Sequence, residues 1–109
     1  MEFETYQYFA RKTAVFPKEF TVIYPAMGVA SESGECLEKI KKQLRDKNCN
    51  WEDVEFKEKV AKEMGDVLWY LANLAEDLGM NLNDVAELNL KKLKDRQDRG
   101  VLKGEGDNR

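Results

Sequence analysis

The chain has 109 residues, of which 42% are apolar, 36% charged and 10% aromatic, a composition typical of one small globular domain. Its 18 basic and 21 acidic residues give a net charge of −3, which excludes nucleic-acid binding driven by a basic surface. The chain contains no histidine, which excludes histidine-based catalytic triads and imidazole metal ligands. Any catalysis must therefore use carboxylates, lysine, tyrosine or a metal ion.

Cysteine usage and apolar runs indicate the compartment. Cys36 and Cys49 form no CxxC motif and have no histidine to complete a zinc site, and they do not suggest a disulfide framework. The chain has no run of 18 apolar residues, and its start, MEFETYQYF, lacks the basic-then-apolar order of a signal peptide. We therefore expect a cytoplasmic protein that binds no membrane.

Apolar residues recur at helical spacing along most of the chain, and no segment alternates as a strand would. Pro25 suits the first turn of a helix, Gly79 suits a left-handed helix end, and Asn81 suits an N-cap. The predicted helices cover residues 3–15, 25–46, 51 or 54 to 78, and 81–99. The predicted fold is an all-α, four-helix bundle-like domain over residues 1–99, followed by a flexible C-terminal tail at 100–109.

Each predicted helix has an apolar face that we expect to be buried. The second helix carries Ala26, Ala30, Leu37, Ile40 and Leu44. The third carries Val60, Met64, Val67, Leu68, Leu71, Leu74, Ala75 and Leu78. The fourth carries Leu82, Val85, Ala86 and Leu93. Because the third helix is apolar over more than half its circumference, more than a small bundle buries, the pattern predicts oligomerisation.

Acidic residues on two helices form pairs spaced three apart. Glu32 and Glu35 lie on a different face from the apolar stripe of the second helix. Glu63 and Asp66 begin a polar seam on the third, which continues through Tyr70, Asn73 and Asp77. Solvated surface charge is one interpretation of these acids. The other is a site where two helices face each other and four carboxylates surround a hard cation, Mg²⁺ with Mn²⁺ as a substitute.

A second polar line interrupts the apolar face of the fourth helix. Asn89 lies within that face, with Lys92 and Arg96 beside it at the third and seventh following positions. An ordinary interhelix hydrogen bond, with both cations reaching the edge, explains this line. An anion site explains it equally well, because lysine supplies a point charge and arginine a planar fork that suits phosphate oxygens.

The acidic motifs, SESGE at 31–35 and EMGD at 63–66, together resemble the E-E-x-x-E and E-x-x-D signature of the MazG-like nucleoside triphosphate pyrophosphohydrolases. The resemblance extends over roughly residues 5–100, but Ser31 stands where the signature has its first Glu. It implies hydrolysis between the α and β phosphates, giving a monophosphate and pyrophosphate, in a homodimer or homotetramer. It also implies metal ligands at Glu32, Glu35, Glu63 and Asp66.

Within this family, Glu32 or Glu35 would orient or deprotonate the attacking water, and the residues leave that choice open. Lys92 and Arg96 would hold phosphate oxygens, with Asn89 on sugar or phosphate. The base would stack on a neighbouring subunit or on one of the aromatic residues, namely Phe9, Phe16, Tyr24, Trp51, Trp69 and Tyr70.

The hypothesis is therefore a Mg²⁺-dependent enzyme that cleaves nucleoside triphosphates as a class and cleans the nucleotide pool. The alternatives are a non-catalytic helical module that binds nucleotides or proteins, and a purely structural bundle.

Overall fold

The computed structural model describes residues 1–109 and contains four α-helices and no strand, which confirms the all-α prediction. The elements are α1 (Phe3–Lys12), a 3₁₀ turn (Lys18–Phe20), α2 (Ile23–Asp46), α3 (Val54–Asp77) and α4 (Leu82–Asp98). The helices pack as a bundle-like group around α3. None of them combines the length and the apolar character that crossing a bilayer requires.

Individual residues at the helix ends determine where these helices start and stop. Gly79 has a φ of 70° and donates its N–H to the carbonyl of Glu76, so it ends α3 as predicted. The Asn81 side chain accepts the N–H of Asn83 and caps α4. The first helix stops earlier than the predicted residue 15, because Thr13 turns both its N–H and its hydroxyl onto the carbonyl of Ala10.

The long helices α2 and α3 form an antiparallel pair. Near one end, Gly28 of α2 lies against the Tyr70 ring, so close that a Cβ at position 28 would be 2.2 Å from a ring carbon. At the other end, the amide of Gln43 donates to the Asp53 carboxylate at 3.5 Å. At these two points α2 therefore meets α3 through a glycine and a polar residue.

The apolar stripe of α2 points away from α3, so the chain itself does not bury it. Leu37 is 65% exposed and Leu44 is 56% exposed. On α3, Met64 is 60% exposed. The sequence pattern located the apolar stripes correctly but not the packed faces, because α2 approaches α3 through its smallest residue.

The buried apolar core is small and lies between α1, α3 and α4. It consists of Ala10, Ala72, Ala75 and Leu82, with Tyr6, Leu68 and Trp69 packed against it. Of the residues predicted to be buried, Ala75 and Leu82 are confirmed. Val85 and Leu93 of α4 are exposed, contrary to expectation.

Gln7 joins α1 to the turn between α3 and α4. Its amide nitrogen donates to the Glu76 carboxylate and to the carbonyl of Met80, both at 2.9 Å. Its amide oxygen accepts the N–H of Leu82 at 2.7 Å. In return, Asn83 accepts the N–H of Glu4 at 2.9 Å. The first turns of α1 and α4 therefore cap each other, which satisfies donors that a helix start otherwise leaves unpaired.

The chain is extended for its length. Its radius of gyration is 16.8 Å, whereas a compact domain of this size has a value of about 13 Å. Only 10 of 109 residues are buried. A single copy therefore leaves much of its apolar surface in contact with water.

We expect Gly28→Ala to lower the free energy of unfolding by about 1–3 kcal/mol, because the new methyl group must displace the packed Tyr70 ring. Urea denaturation measures this. Gly34→Ala is the matched control: it lies in the same helix with open space around it and should gain up to about 1 kcal/mol from helix propensity. Equal effects of the two substitutions would contradict the close packing of α2 on α3.

Candidate metal centre

Three carboxylates from α2 and α3 converge where these two helices face each other. One oxygen from each of Glu32, Glu63 and Asp66 lies within 4.8 Å of the others. Glu32 and Glu63 are half-buried, and Asp66 is exposed. We call these residues the acid triad.

Helix geometry explains why the triad forms. Glu63 and Asp66 are one turn apart on α3 and therefore project from one face. Glu32 follows Gly28 by one turn of α2, on the face that the contact with Tyr70 presses against α3. The spacing predicted the pair on α3, and the close approach at Gly28 brings the third carboxylate to it.

The triad is a region of concentrated negative charge. The pKa of Glu32 is raised, first because of burial and then because of the negative charges on Asp66, Glu63 and Glu35. The pKa of the Cys36 thiol, one turn further along α2, is raised by burial and by the charge on Glu63. Burial and the charge on Asp66 also raise the pKa of Tyr6 in α1.

Glu35, the fourth acid predicted to belong to the site, lies outside the triad. It is exposed, and its charge still acts on Glu32. Ser31, which stands where the family signature has Glu, donates its hydroxyl to the carbonyl of Gly28 at 3.2 Å. The structure therefore brings three of the four predicted carboxylates together and leaves the fourth outside the cluster.

The C-terminal residues of the polar seam on α3, Asn73 and Asp77, stabilise the fold through contacts within the chain. The Asp77 side chain is fully shielded from solvent, accepts from Arg11 at 2.7 Å and accepts the N–H of Val22 at 2.9 Å. Val22 has a φ of 71°, a strained conformation for a β-branched residue, and Asp77 helps to hold it. Asn73 is buried and donates to the carbonyl of Trp69 at 3.0 Å. Asn73 and Asp77 are thus paired within the protein, while Glu63 and Asp66 are not.

The polar line on α4 lies apart from the triad. Asn89 is exposed rather than set in a packed face, so it needs no interhelix partner. Lys92 and Arg96 form ion pairs with Asp107, at 3.2 Å and 3.4 Å. No hydrogen bond or ion pair joins either cation to the triad.

Tyr6 and Tyr70 are neighbours of the triad that the sequence did not assign to the metal site. Tyr70 was recognisable as part of the seam on α3, and its ring stands beside Tyr24, with ring centres 6.4 Å apart. Its pKa is raised by burial, by Tyr24 and by the charge on Glu32. Tyr6 carries no sequence signal, because it reaches the site from a different helix.

The donor set fits a hard divalent cation. Carboxylate oxygens are the ligands that Mg²⁺ prefers, and like charges this close oppose ionisation unless a cation is present. The raised pKa of Glu32, caused first by burial and then by the neighbouring acids, agrees with this. The ion would therefore be held by Glu32, Glu63 and Asp66, and Glu35 lies outside this set.

We expect Glu32→Gln to raise the melting temperature of the metal-free protein at pH 7, because it removes a charge that the fold disfavours. Since the folded-state pKa of Glu32 is raised, its contribution to stability falls as pH rises through that pKa. The gain should therefore shrink as pH falls through the raised pKa and be absent below the ordinary pKa of glutamate, about 4.3. Added Mg²⁺ should stabilise the wild type more than the variant.

Glu38→Gln is the control for this prediction. Glu38 pairs with Lys41 at 3.0 Å, and that contact lowers its pKa, so its loss should leave the melting temperature unchanged or lower. A metal-free Glu32→Gln protein less stable than the wild type at pH 7 would contradict repulsion in the triad.

Comparison with known proteins identifies the family. Residues 24–101 match the MazG nucleotide pyrophosphohydrolase domain, a range that covers α2 except its first residue, and all of α3 and α4. The chain is also 41% identical over 115 residues to the "Gene 37 protein" of Mycobacterium phage L5, an alignment that covers 100% of each chain. No solved structure matches it. The chain therefore belongs to the MazG nucleotide pyrophosphohydrolase family.

Proposed function

We propose that the protein is a Mg²⁺-dependent nucleoside triphosphate pyrophosphohydrolase that produces a nucleoside monophosphate and pyrophosphate and clears unwanted nucleotides from the pool. The acid triad carries this proposal, because it supplies three hard ligands on two helices in a chain of the MazG family. When bound there, Mg²⁺ would neutralise phosphate charge and make water more acidic. The absence of histidine is compatible with this chemistry.

The chain's own carboxylates would position the water. Glu35 is exposed and lies outside the triad, so its oxygens are free to accept a proton from water or to orient it. Glu32 lies closer to Glu63 and Asp66 and is the alternative. We favour Glu35 as the general base, because a carboxylate that binds the ion has less capacity to accept a proton.

Lys92 and Arg96 would bind the phosphate chain, and Asn89 the sugar or a phosphate. The guanidinium and ammonium groups together provide both a fork and a point charge for phosphate oxygens. No contact links Lys92 and Arg96 to the triad. A substrate that binds both the metal ion and these cations would therefore have to span the space between them. Tyr70, which is near the triad, and Tyr24, whose ring lies beside Tyr70, are candidates for stacking on the base.

Pyrophosphate release from a panel of ribo- and deoxynucleoside triphosphates, with and without Mg²⁺, tests the function. Glu35→Gln should lower turnover by at least about a hundredfold with folding intact, since general-base catalysis contributes that much. Asp66→Asn should also lower turnover strongly, because it removes a charged ligand of the ion. Glu38→Gln, on the ion-paired face of α2, should retain full turnover. Unchanged turnover in either site variant would refute the site assignment.

The non-catalytic alternative predicts a different pair of results. Calorimetry would show nucleotide binding, while no monophosphate would form during long incubation with Mg²⁺ or Mn²⁺. A purely structural bundle would show neither binding nor a rise in melting temperature with Mg²⁺.

We also propose that the active form is a homodimer or homotetramer in which α2 and α3 pack on a second copy. A groove of about 710 Å³ follows these helices, and seven of its nine lining residues are apolar, among them Met64, Leu68 and Leu71. Leu37 and Leu44 of α2 are also exposed. An exposed apolar area of this kind in a small chain marks an interface, and the large radius of gyration agrees with it.

Leu37→Glu and Met64→Glu should each convert the assembly to monomers, because a charge would be buried in the new interface. Light scattering at micromolar concentration measures the mass. Val15→Glu, which changes a 92% exposed residue between α1 and α2, is the control and should leave the assembly unchanged. A monomeric mass for the wild type would refute the interface.

A further inference from the structure

The C-terminal segment, Val101–Arg109, folds back along the end of α4. Val101 donates its N–H to the carbonyl of Arg96 at 2.9 Å. Arg109 closes the segment on itself, donating to the carbonyls of Val101 and Leu102 at 3.1 Å and of Gly106 at 2.6 Å. Gly106 has a φ of 80°, a conformation that glycine adopts without strain, and the next residue is Asp107.

This fold-back places Asp107 on the cations of α4. A carboxylate oxygen of Asp107 is 3.2 Å from Lys92 Nζ and 3.4 Å from Arg96 Nη2. The same Arg96 nitrogen donates to the carbonyls of Asp107 at 2.7 Å and of Gly106 at 3.4 Å. Arg96 is 5% exposed, whereas the Asp107 side chain is 84% exposed. The segment thus covers the guanidinium while its own carboxylate remains in solvent.

We propose that the C-terminal segment is an internal ligand of the phosphate-binding pair Lys92 and Arg96, and that the Asp107 carboxylate occupies the place of a substrate phosphate oxygen until a phosphate displaces it. This inference rests on the proposed function, which gives Lys92 and Arg96 to the phosphate chain. Carboxylate and phosphate oxygens make the same charge-assisted hydrogen bonds to ammonium and guanidinium groups.

The ion pairs of Asp107 are weak enough for the C-terminal segment to dissociate readily from Lys92 and Arg96. Ion pairs with one exposed partner are weak and are screened by salt. A triphosphate carries more negative charge than one carboxylate, so it competes effectively for the same two cations. Gly100, Gly104 and Gly106 supply the backbone freedom that lifting the segment requires.

Competition of this kind has a quantitative signature. Every ligand that needs Lys92 and Arg96 binds more weakly by the same factor, which is set by the fraction of molecules with the segment lifted. A ligand without phosphate is unaffected. The segment therefore changes the apparent affinity for all phosphates and leaves the chemical step unchanged.

The experiment uses the full chain with Asp107→Asn, and with Glu105→Gln as a control that makes the same change in net charge in the same segment. Tripolyphosphate and pyrophosphate are titrated by calorimetry at low ionic strength. Asp107→Asn should bind both about two- to fivefold more tightly, the range expected for one weak ion-pair contact, and Glu105→Gln should match the wild type. In an Arg96→Gln background, the gain from Asp107→Asn should be smaller, because only the contact with Lys92 remains to be lost.

Two results would overturn the inference. One is Asp107→Asn binding no tighter than Glu105→Gln, and the other is an undiminished gain in the Arg96→Gln background. Helix content by circular dichroism verifies that each variant is folded.

Hydrolysis assays on the same variants separate this inference from the proposed function. If the wild type releases pyrophosphate but Asp107→Asn has unchanged KM and phosphate affinity, the internal ligand is refuted and the function stands. If no variant hydrolyses a triphosphate but Asp107→Asn still binds tripolyphosphate more tightly, the function is refuted and the internal ligand stands. A lower KM with unchanged kcat supports both.

Discussion

The close contact between Gly28 and Tyr70 is the constraint on which the rest of the site depends. It lets α2 approach α3 where any side chain would collide with the ring, and it sets which residues of the two helices face each other. Glu32 is placed opposite Glu63 and Asp66 as a direct result. The same approach turns the bulky stripe of α2 outward. One small residue thus determines both where negative charge collects and which surface stays apolar.

The polar residues of α3 show two ways of handling charge near a packed interface. Asp77 is shielded from solvent but is paired with Arg11 and with a backbone N–H, so its burial is compensated. Glu63 and Asp66 have no such partners and face Glu32 instead. The same helix therefore carries one carboxylate whose charge is compensated within the protein and two that face a third across the helix contact.

Periodicity and capping signals predicted the helices and the acid pairs, because these depend on residues within a few positions of each other. Gly79 and Asn81 ended and started helices as expected. The packed face of α2 was not predictable in this way, since a leucine stripe marks an apolar face whether or not that face packs within the chain. The environment of Arg96 was equally hidden: its partner Asp107 comes from a glycine-containing segment with no helical or strand pattern.

The mutual capping of α1 and α4 has a consequence for the order of folding. Its hydrogen bonds join residues 75 and 79 positions apart, whereas α2 and α3 are neighbours along the chain. Contacts close in sequence cost little loop entropy and form early, while those between distant segments form late. The helical hairpin that carries the acid triad can therefore assemble before the chain ends meet. If the hydrogen bonds of Gln7 break, α1 and α4 would separate from each other, while the hairpin of α2 and α3 would stay folded.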